Sequence, residues 1–437
     1  MASGALPGFR DFYPAELAER SYLFATWREV ARRYGFVEYD GPPLESLELY
    51  TRKSGDEIVG QLYEFSDKGG RRVALRPEMT PTLARMVGAR ANALRKPIRW
   101  ASIPQLFRYE RQQRGRLREH FQLNLDIIGE SDVSADAELL AAAIDIMRGF
   151  GLTANDVVAR VSDRRLLQAM LTAIGITAAQ LPAAYAVIDK VDRDTREHLE
   201  RRLADAGVAP GPARQLFELV RRVDDLDGFA RWCEAHECAA QFAVLRRHLS
   251  YLDALGVGEW VRLDLSIVRG LAYYTGIVFE LFDAKGEFRA ICGGGRYDNL
   301  LKALGGVELP ALGFGMGDVV LGELLRARGL MPAYAPGVDV WVACADGAEL
   351  TDAMRVAAQL RARGRSVEYA LGGQKLSRQL KAASGAGARD VLILPAGDGA
   401  TRDVVVRNLV RGEERRVTLD DWLNEQERPA THTERHG

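Results

Sequence analysis

The chain has 437 residues, 47% hydrophobic and 27% charged, a composition that excludes a disordered or fibrous protein and leaves room for about three domains at roughly 150 residues each. Fifty-nine basic residues against 60 acidic ones give a net charge of −1, so no global basic field draws the chain to nucleic acid; any such role must rest on local clusters. Residues 1–10 carry no basic segment followed by an apolar run, and no stretch approaches the roughly 18 apolar residues of a membrane span, which points to a cytoplasmic protein that does not enter membranes.

In chain order, residues 15–34 form an amphipathic stretch without Gly or Pro, read as a helix ending near Gly35. Residues 36–39 then read as a short strand stopped by Gly41-Pro42-Pro43. Residues 75–88 open with Arg76-Pro77-Glu78 and turn helical. Residues 100–108 and 123–128 are strand-like, and the arginine-rich run from Arg108 to Arg118 sits between them as a hairpin loop. From about 152 to 255 the chain becomes rich in Ala, Leu and Arg with helical periodicity, an inserted helical module. Strand patterns return at 277–282 and 288–292, and 313–329 looks like a strand entering a helix. After a linker at 332–336, segments 338–343, 349–363, 366–369, 375–386, 390–394 and 403–408 alternate strand and helix, the pattern of a small α/β domain. A polar tail follows from 425. Cys233, Cys238, Cys292 and Cys344 are too few and too scattered for a disulfide framework or a zinc cluster, and read as free thiols.

Three segments combine glycines, arginines and acids in the mixture that phosphate handling needs. In Phe107-Arg108-Tyr109-Glu110, strand alternation puts Arg108 and Glu110 on one face, either a cation for phosphate beside a carboxylate for an amino group, or a plain ion pair. In Arg269-Gly270-Leu271-Ala272-Tyr273-Tyr274-Thr275-Gly276, two tyrosines and an arginine are hemmed by glycines; a structural pair of tyrosines is the alternative. In Cys292-Gly293-Gly294-Gly295-Arg296-Tyr297-Asp298 three glycines offer a backbone that a ligand can press against, or a tight turn. The arginine run and the basic residues Lys375, Arg378 and Lys381, spaced by three, could equally be solvated faces.

Taken together and in order, these segments resemble histidyl-tRNA synthetases, and the resemblance spans nearly the whole chain. The run from Gly35 to Glu45 looks like class II motif 1, Arg76-Pro77-Glu78-Met79-Thr80 like the amino-acid-binding turn, and Phe107 to Arg111 with Arg118 to Asp126 like motif 2. The segments around Arg269 and from Gly293 to Asp298 resemble the two signatures of the histidine-specific enzymes.

The resemblance implies an α/β (α+β) fold: an antiparallel-sheet catalytic domain of the class II synthetase type at 1–151 and 256–331, interrupted by the helical insertion at 152–255, and a C-terminal α/β anticodon-binding domain at 337–424. It implies ATP-dependent attachment of L-histidine to tRNA(His), with Mg2+ and a homodimer whose interface motif 1 builds. Glu78, Met79, Thr80, Arg108, Gln122, Asp126, Arg269, Tyr273 and Tyr274 would bind histidine, with Asp126 and Tyr274 at the two ring nitrogens. Arg108, Glu110, Phe121 and Arg269 would bind ATP, with Arg269 and Arg108 as the catalytic pair. Arg114, Arg116, Lys375, Arg378 and Lys381 are the candidates for tRNA contact; no metal ligand is singled out.

The chain departs from the family pattern at three places: Ala272 replaces the usual aspartate, Gly317-Asp318-Val319-Val320 stands where motif 3 usually ends in Glu-Arg, and His120-Phe121 reverses the usual order. The alternative reading is a non-catalytic, synthetase-like regulatory subunit of ATP phosphoribosyltransferase, which normally lacks an anticodon-binding domain. A synthetase-like sensor that binds RNA without catalysis is a third.

Overall fold

The computed structural model describes residues 4–51, 59–110, 115–191, 193–220, 226–268, 274–335, 337–396 and 403–426. They divide into two compact units, Met1–Pro332 and Ala333–Gly437.

The first unit opens with the helix Pro14–Arg33, whose Pro14 occupies the first helical position, where its missing N–H costs nothing. Leu23, Trp27, Val30 and Ala31 are buried along one stripe of it, and Gly35, at φ +72°, ends it in the left-handed conformation. The chain then runs through β1 (Val37–Glu38), β2 (Leu44–Ser46), β3 (Glu64–Ser66), β4 (Arg72–Leu75), the helix Thr80–Arg90, β5 (Ile98–Ser102), β6 (Gln105–Phe107) and β7 (Glu119–Ile128). The helix Ser134–Gly149 follows, then β8 (Val157–Asp163), six helices among the described residues between Arg164 and Ala254, β9 (Val261–Leu263), β10 (Ile277–Asp283), β11 (Cys292–Arg296), β12 (Ala311–Gly317) and the helix Asp318–Ala327.

The main sheet has the order β1-β5-β7-β12-β11-β10-β8-β9, with β6 paired to β7. Every neighbour from β5 to β8 is antiparallel; only the outer pairs β1 with β5 and β8 with β9 run parallel. A small antiparallel sheet, β2-β4-β3, leads into the helix Thr80–Arg90. One face of the main sheet is covered by the Ser134–Gly149 helix, whose Leu139, Leu140, Ile144 and Met147 join Leu123, Leu125 and Ile127 of β7 in the largest core.

Three local expectations are corrected. The segment 157–163, expected to be helical, is β8 in the main sheet: Val157, Ala159 and Val161 are fully buried while Val158 and Arg160 are half-buried, a period of two that the Ala- and Arg-rich surroundings mask. The strand expected over 100–108 is two, β5 and β6, because Pro104 has no N–H to give to a ladder. The strand expected at 288–292 begins at Cys292 instead and carries the three glycines as its interior, paired with β10 and β12 on both sides.

The second unit holds β13 (Val340–Cys344), β14 (Val367–Tyr369), β15 (Asp390–Leu394), β16 (Asp403–Asn408) and β17 (Glu413–Thr418) in the order β14-β13-β15-β16-β17. The pairs around β13 are parallel and those from β15 to β17 antiparallel. Val340 and Val342 pack with Val356, Leu360 and Trp422 on one face, whereas Trp341 and Ala343 pack with Ala383 and Ala388 on the other. All four cysteines of the chain are free.

Candidate active site

Strand alternation on β7 builds the floor of the site. Leu123, Leu125 and Ile127 enter the core, so Gln122, Asn124 and Asp126 point to the opposite face, where all three line one cavity of about 170 Å³. Across the ladder Asp126 faces Gly313 and Gln122 faces Gly317 on β12. A Cβ at Gly313 would collide with the Asp126 carboxylate, and one at Gly315 with the Gln122 amide, so these glycines keep open the space above the two side chains.

Glu78, Thr80, Arg108 and Tyr274 complete that cavity together with Tyr297. The turn carrying Glu78 is held by Arg76, buried at 4% exposure, whose guanidinium donates to the Gln105 carbonyl at 3.0 Å and to the Asp40 carboxylate at 2.7 Å. Arg108 donates to the Pro77 carbonyl at 2.8 Å, tying the same turn to the end of β6. Burial pushes the Asp126 carboxyl up to about 7, although the Tyr297 hydroxyl, which donates to it, acts in the other direction. A carboxyl poised in this way can accept from, or donate to, a ring nitrogen.

A second cavity of about 210 Å³ shares Arg108, Gln122, Gly293 and Gly315 with the first and continues past Glu110, Arg116, His120, Val319 and Val320. Glu110 and Arg116 form an ion pair. His120 lies on the same face of β7 as Gln122; burial first, then the nearby Arg108 charge, pull its ring down to about 3, so it is a neutral platform. Phe121, expected at the nucleotide, is not among the residues lining the cavity. Its ring packs 5.3 Å from Phe24 and 6.0 Å from Phe12, beneath the Arg20 guanidinium at 4.7 Å, on the other side of the strand.

Behind this wall, Asp318 starts the helix Asp318–Ala327 and accepts from the Phe121 backbone N–H at 3.0 Å and from Arg10 at 2.9 Å. Arg10 also donates to Glu119 at 2.7 Å, and Gln105 donates to the second oxygen of that carboxylate at 2.7 Å. One guanidinium thus serves two buried carboxylates, one on the first residue of β7 and one on the helix behind β12.

Of the sequence-expected residues, Glu78, Thr80, Arg108, Gln122, Asp126 and Tyr274 converge on the first cavity, and Arg108, Glu110 and Arg116 on the second. Met79 is buried at 1% exposure with its sulfur 3.9 Å from the Arg76 guanidinium, and does not line either cavity. Lys375, Arg378 and Lys381 are exposed on or beside the helix Leu376–Gly385 of the second unit. Arg269, Ala272, Tyr273 and Arg114 lie outside the described residues. Sequence reasoning gave no role to Asn124, Tyr297 or Arg10, and the reversed His120-Phe121 order left open which of the two meets the base; the period-two register running back from Asp126 was the signal for His120 and Asn124. Among the described residues no group of three or more His, Cys, Asp or Glu side chains is placed to hold a metal ion.

The family model for histidyl-tRNA synthetases matches residues 8–317. The chain belongs to the histidyl-tRNA synthetase family. It is 45% identical over 408 residues to a histidine–tRNA ligase of Opitutus terrae, covering 93% of each chain. It is 41% identical to a chloroplastic/mitochondrial histidine–tRNA ligase of Arabidopsis thaliana, over 95% of this chain and 85% of that one. Its fold is that of the family: the crystal structure of histidyl-tRNA synthetase from Nostoc sp. PCC 7120 superposes with a TM-score of 0.82 at 25% identity, covering 98% of this chain and 99% of that one. A Bacillus halodurans protein described as an ATP phosphoribosyltransferase regulatory subunit/histidyl-tRNA synthetase shares the fold at a TM-score of 0.74 and 22% identity. No described helix is long and apolar enough to cross a membrane.

Proposed function

We propose that the chain joins L-histidine to tRNA(His) through a histidyl-adenylate. The observation that carries this reading is the continuity of the two cavities at Arg108 and Gln122, which sets an amino-acid-sized space with a buried acid at its end beside a nucleotide-sized one. In the first, Asp126 and Tyr274 would satisfy the two ring nitrogens of histidine, one a donor and one an acceptor, and Tyr273 would wall the ring. Glu78 and Thr80 would take the α-amino group, and Gln122 the carboxylate. In the second, Glu110 would meet the adenine amino group once Arg116 releases it, and neutral His120, rather than Phe121, would lie against the base.

A carboxylate oxygen of histidine then attacks the α-phosphorus, the bond to the bridging oxygen of the β-phosphate breaks, and pyrophosphate leaves. Arg108 at the junction, with Arg269, would stabilise the charge that develops there. In the second step a ribose hydroxyl of the terminal tRNA adenosine attacks the acyl carbon, loses its proton, and AMP leaves. Mg2+ would arrive on the phosphates of ATP and keep several waters, with the protein adding at most one or two carboxylates. The second unit would serve as the anticodon-binding domain, with Lys375, Arg378 and Lys381 toward the phosphate backbone, and Arg114 and Arg116 toward the acceptor end. Val37 and Leu44, apolar and exposed in the motif 1 region, together with exposed Phe65 on β3, suit a homodimer interface. A cytoplasmic location fits this reading.

Histidine-dependent exchange of labelled pyrophosphate into ATP, followed by charging of transcribed tRNA(His), tests it. Exchange and charging that collapse in Arg269→Ala establish the ligase. Histidine binding without exchange would move the chain to the regulatory or sensor class.

A further inference from the structure

The wall of the second cavity is uncharged where the helix Asp318–Ala327 begins, because Val319 and Val320 form it. Among the described residues the cationic side chains that line this cavity are Arg108 and Arg116, and Arg116 is engaged with Glu110. A nucleoside triphosphate is a polyanion, and its tail has to lie against something positive. A further arginine stands at the rim. A Cβ built at Gly115, which lines the cavity, would lie 3.2 Å from Cγ2 of Val320 and 3.9 Å from Cδ of Arg289. Arg289 and Val320 therefore converge from different elements on one point of the cavity edge. Arg289 is exposed on the connection between β10 and β11, directly before Ala290 and Ile291, which line the same cavity. From Cδ the guanidinium extends further still, and as an exposed side chain it can reach along the cavity edge.

We infer that Arg289 is the cation that holds the β- and γ-phosphates of ATP, in the place where Val320 offers none. The assignment rests on the ATP-dependent reading above, and it fixes the direction of the nucleotide. The reacting α-phosphate must sit where the two cavities join, beside Arg108 and Gln122, since the amino acid reaches it from there. The leaving pyrophosphate then points away from that junction. Gly115 and Val320 line the second cavity alone, so the arginine above them meets the leaving end and not the adenylate end. A planar guanidinium suits two adjacent phosphates because it presents paired donors.

The test compares wild type, Arg289→Ala, and Arg289→Ala combined with Val320→Arg. Dissociation constants for ATP and for AMP are measured by calorimetry on the intact protein, and pyrophosphate exchange is followed in parallel. Loss of one charge-assisted contact weakens ATP binding roughly tenfold in Arg289→Ala. AMP binding and the KM for histidine stay unchanged, and the added arginine at position 320 restores most of the ATP affinity. An unchanged ATP affinity, or an equal loss toward AMP, overturns the assignment. Wild-type protein that binds ATP through Arg289 but shows no histidine-dependent exchange would sink the ligase reading while leaving Arg289 in place.

Discussion

In the proposed function Asp126 is the residue on which histidine recognition turns, and its environment makes a pH signature. Burial raises its carboxyl from the ordinary 3.8 to about 7. Because the folded value is the higher one, the stability that neutral Asp126 confers is present below 3.8 and is lost as pH rises through about 7. Above that pH the carboxylate is a strong acceptor waiting for a ring N–H. The expected outcome is a rise in kcat/KM for histidine through pH 7 in wild type, a limb that reports the free protein. Free histidine titrates its own ring nearby, but it does so identically for every variant. Asp126→Asn should therefore lose the limb that belongs to the protein and lower kcat/KM by roughly 100-fold, as for a lost hydrogen bond to a charged group. A wild-type profile superimposable on that of Asp126→Asn would remove Asp126 from ring recognition.

At the scale of the element, β7 sorts its residues by parity, and adjacent aromatics acquire opposite duties. His120→Ala should weaken ATP binding by about tenfold, as for loss of a stacking partner worth 1–3 kcal/mol, with little change in thermal stability. Phe121→Ala should do the reverse, costing about 2 kcal/mol of stability through lost burial while the KM for ATP holds. The Arg10 bridge between β7 and the helix behind β12 gives a third outcome. Arg10→Met leaves Glu119 and Asp318 buried without their cation, a loss on the order of 3 kcal/mol, visible as a lowered Tm. Since burial raises the Asp318 carboxyl, that penalty should shrink as pH falls and Asp318 takes up a proton.

These elements also show what could be read from the sequence. The helix at 14–33, the cavity residues Glu78, Arg108, Gln122 and Asp126, and the alternating elements after 337 were legible because period and motif pointed the same way. Phe121 misled because an aromatic in a nucleotide motif suggested a ligand, whereas parity with Leu123 and Leu125 already sent it to the face opposite the cavity. The triple glycine hid its strand for a different reason. Glycine has no side chain to show alternation, and only the neighbours β10 and β12 reveal why none fits. Arg10 and Asp318 are 308 residues apart, and no local pattern couples them.

For the whole molecule, the two units keep separate hydrophobic cores. The first is built on the main sheet, and the second on β13 to β17, with clusters on both faces. Everything that lines the amino-acid and nucleotide cavities lies in the first unit, from Glu78 to Val320. In the proposed function adenylate formation draws on residues of the first unit alone, whereas charging requires the tRNA to be held in register as well. A chain ending at Pro332 should therefore retain histidine-dependent pyrophosphate exchange within about threefold of wild type, while charging of tRNA(His) falls by roughly 100-fold at limiting tRNA, as the contribution of a second linked binding module is lost. Far-UV circular dichroism with a cooperative melt checks that the shortened chain is folded. Raising the tRNA concentration should restore much of the rate, because a lost module weakens binding and leaves the chemistry alone. If exchange disappears from a folded 1–332 chain, the second unit takes part in adenylate formation, and the division of labour drawn from the two cores fails.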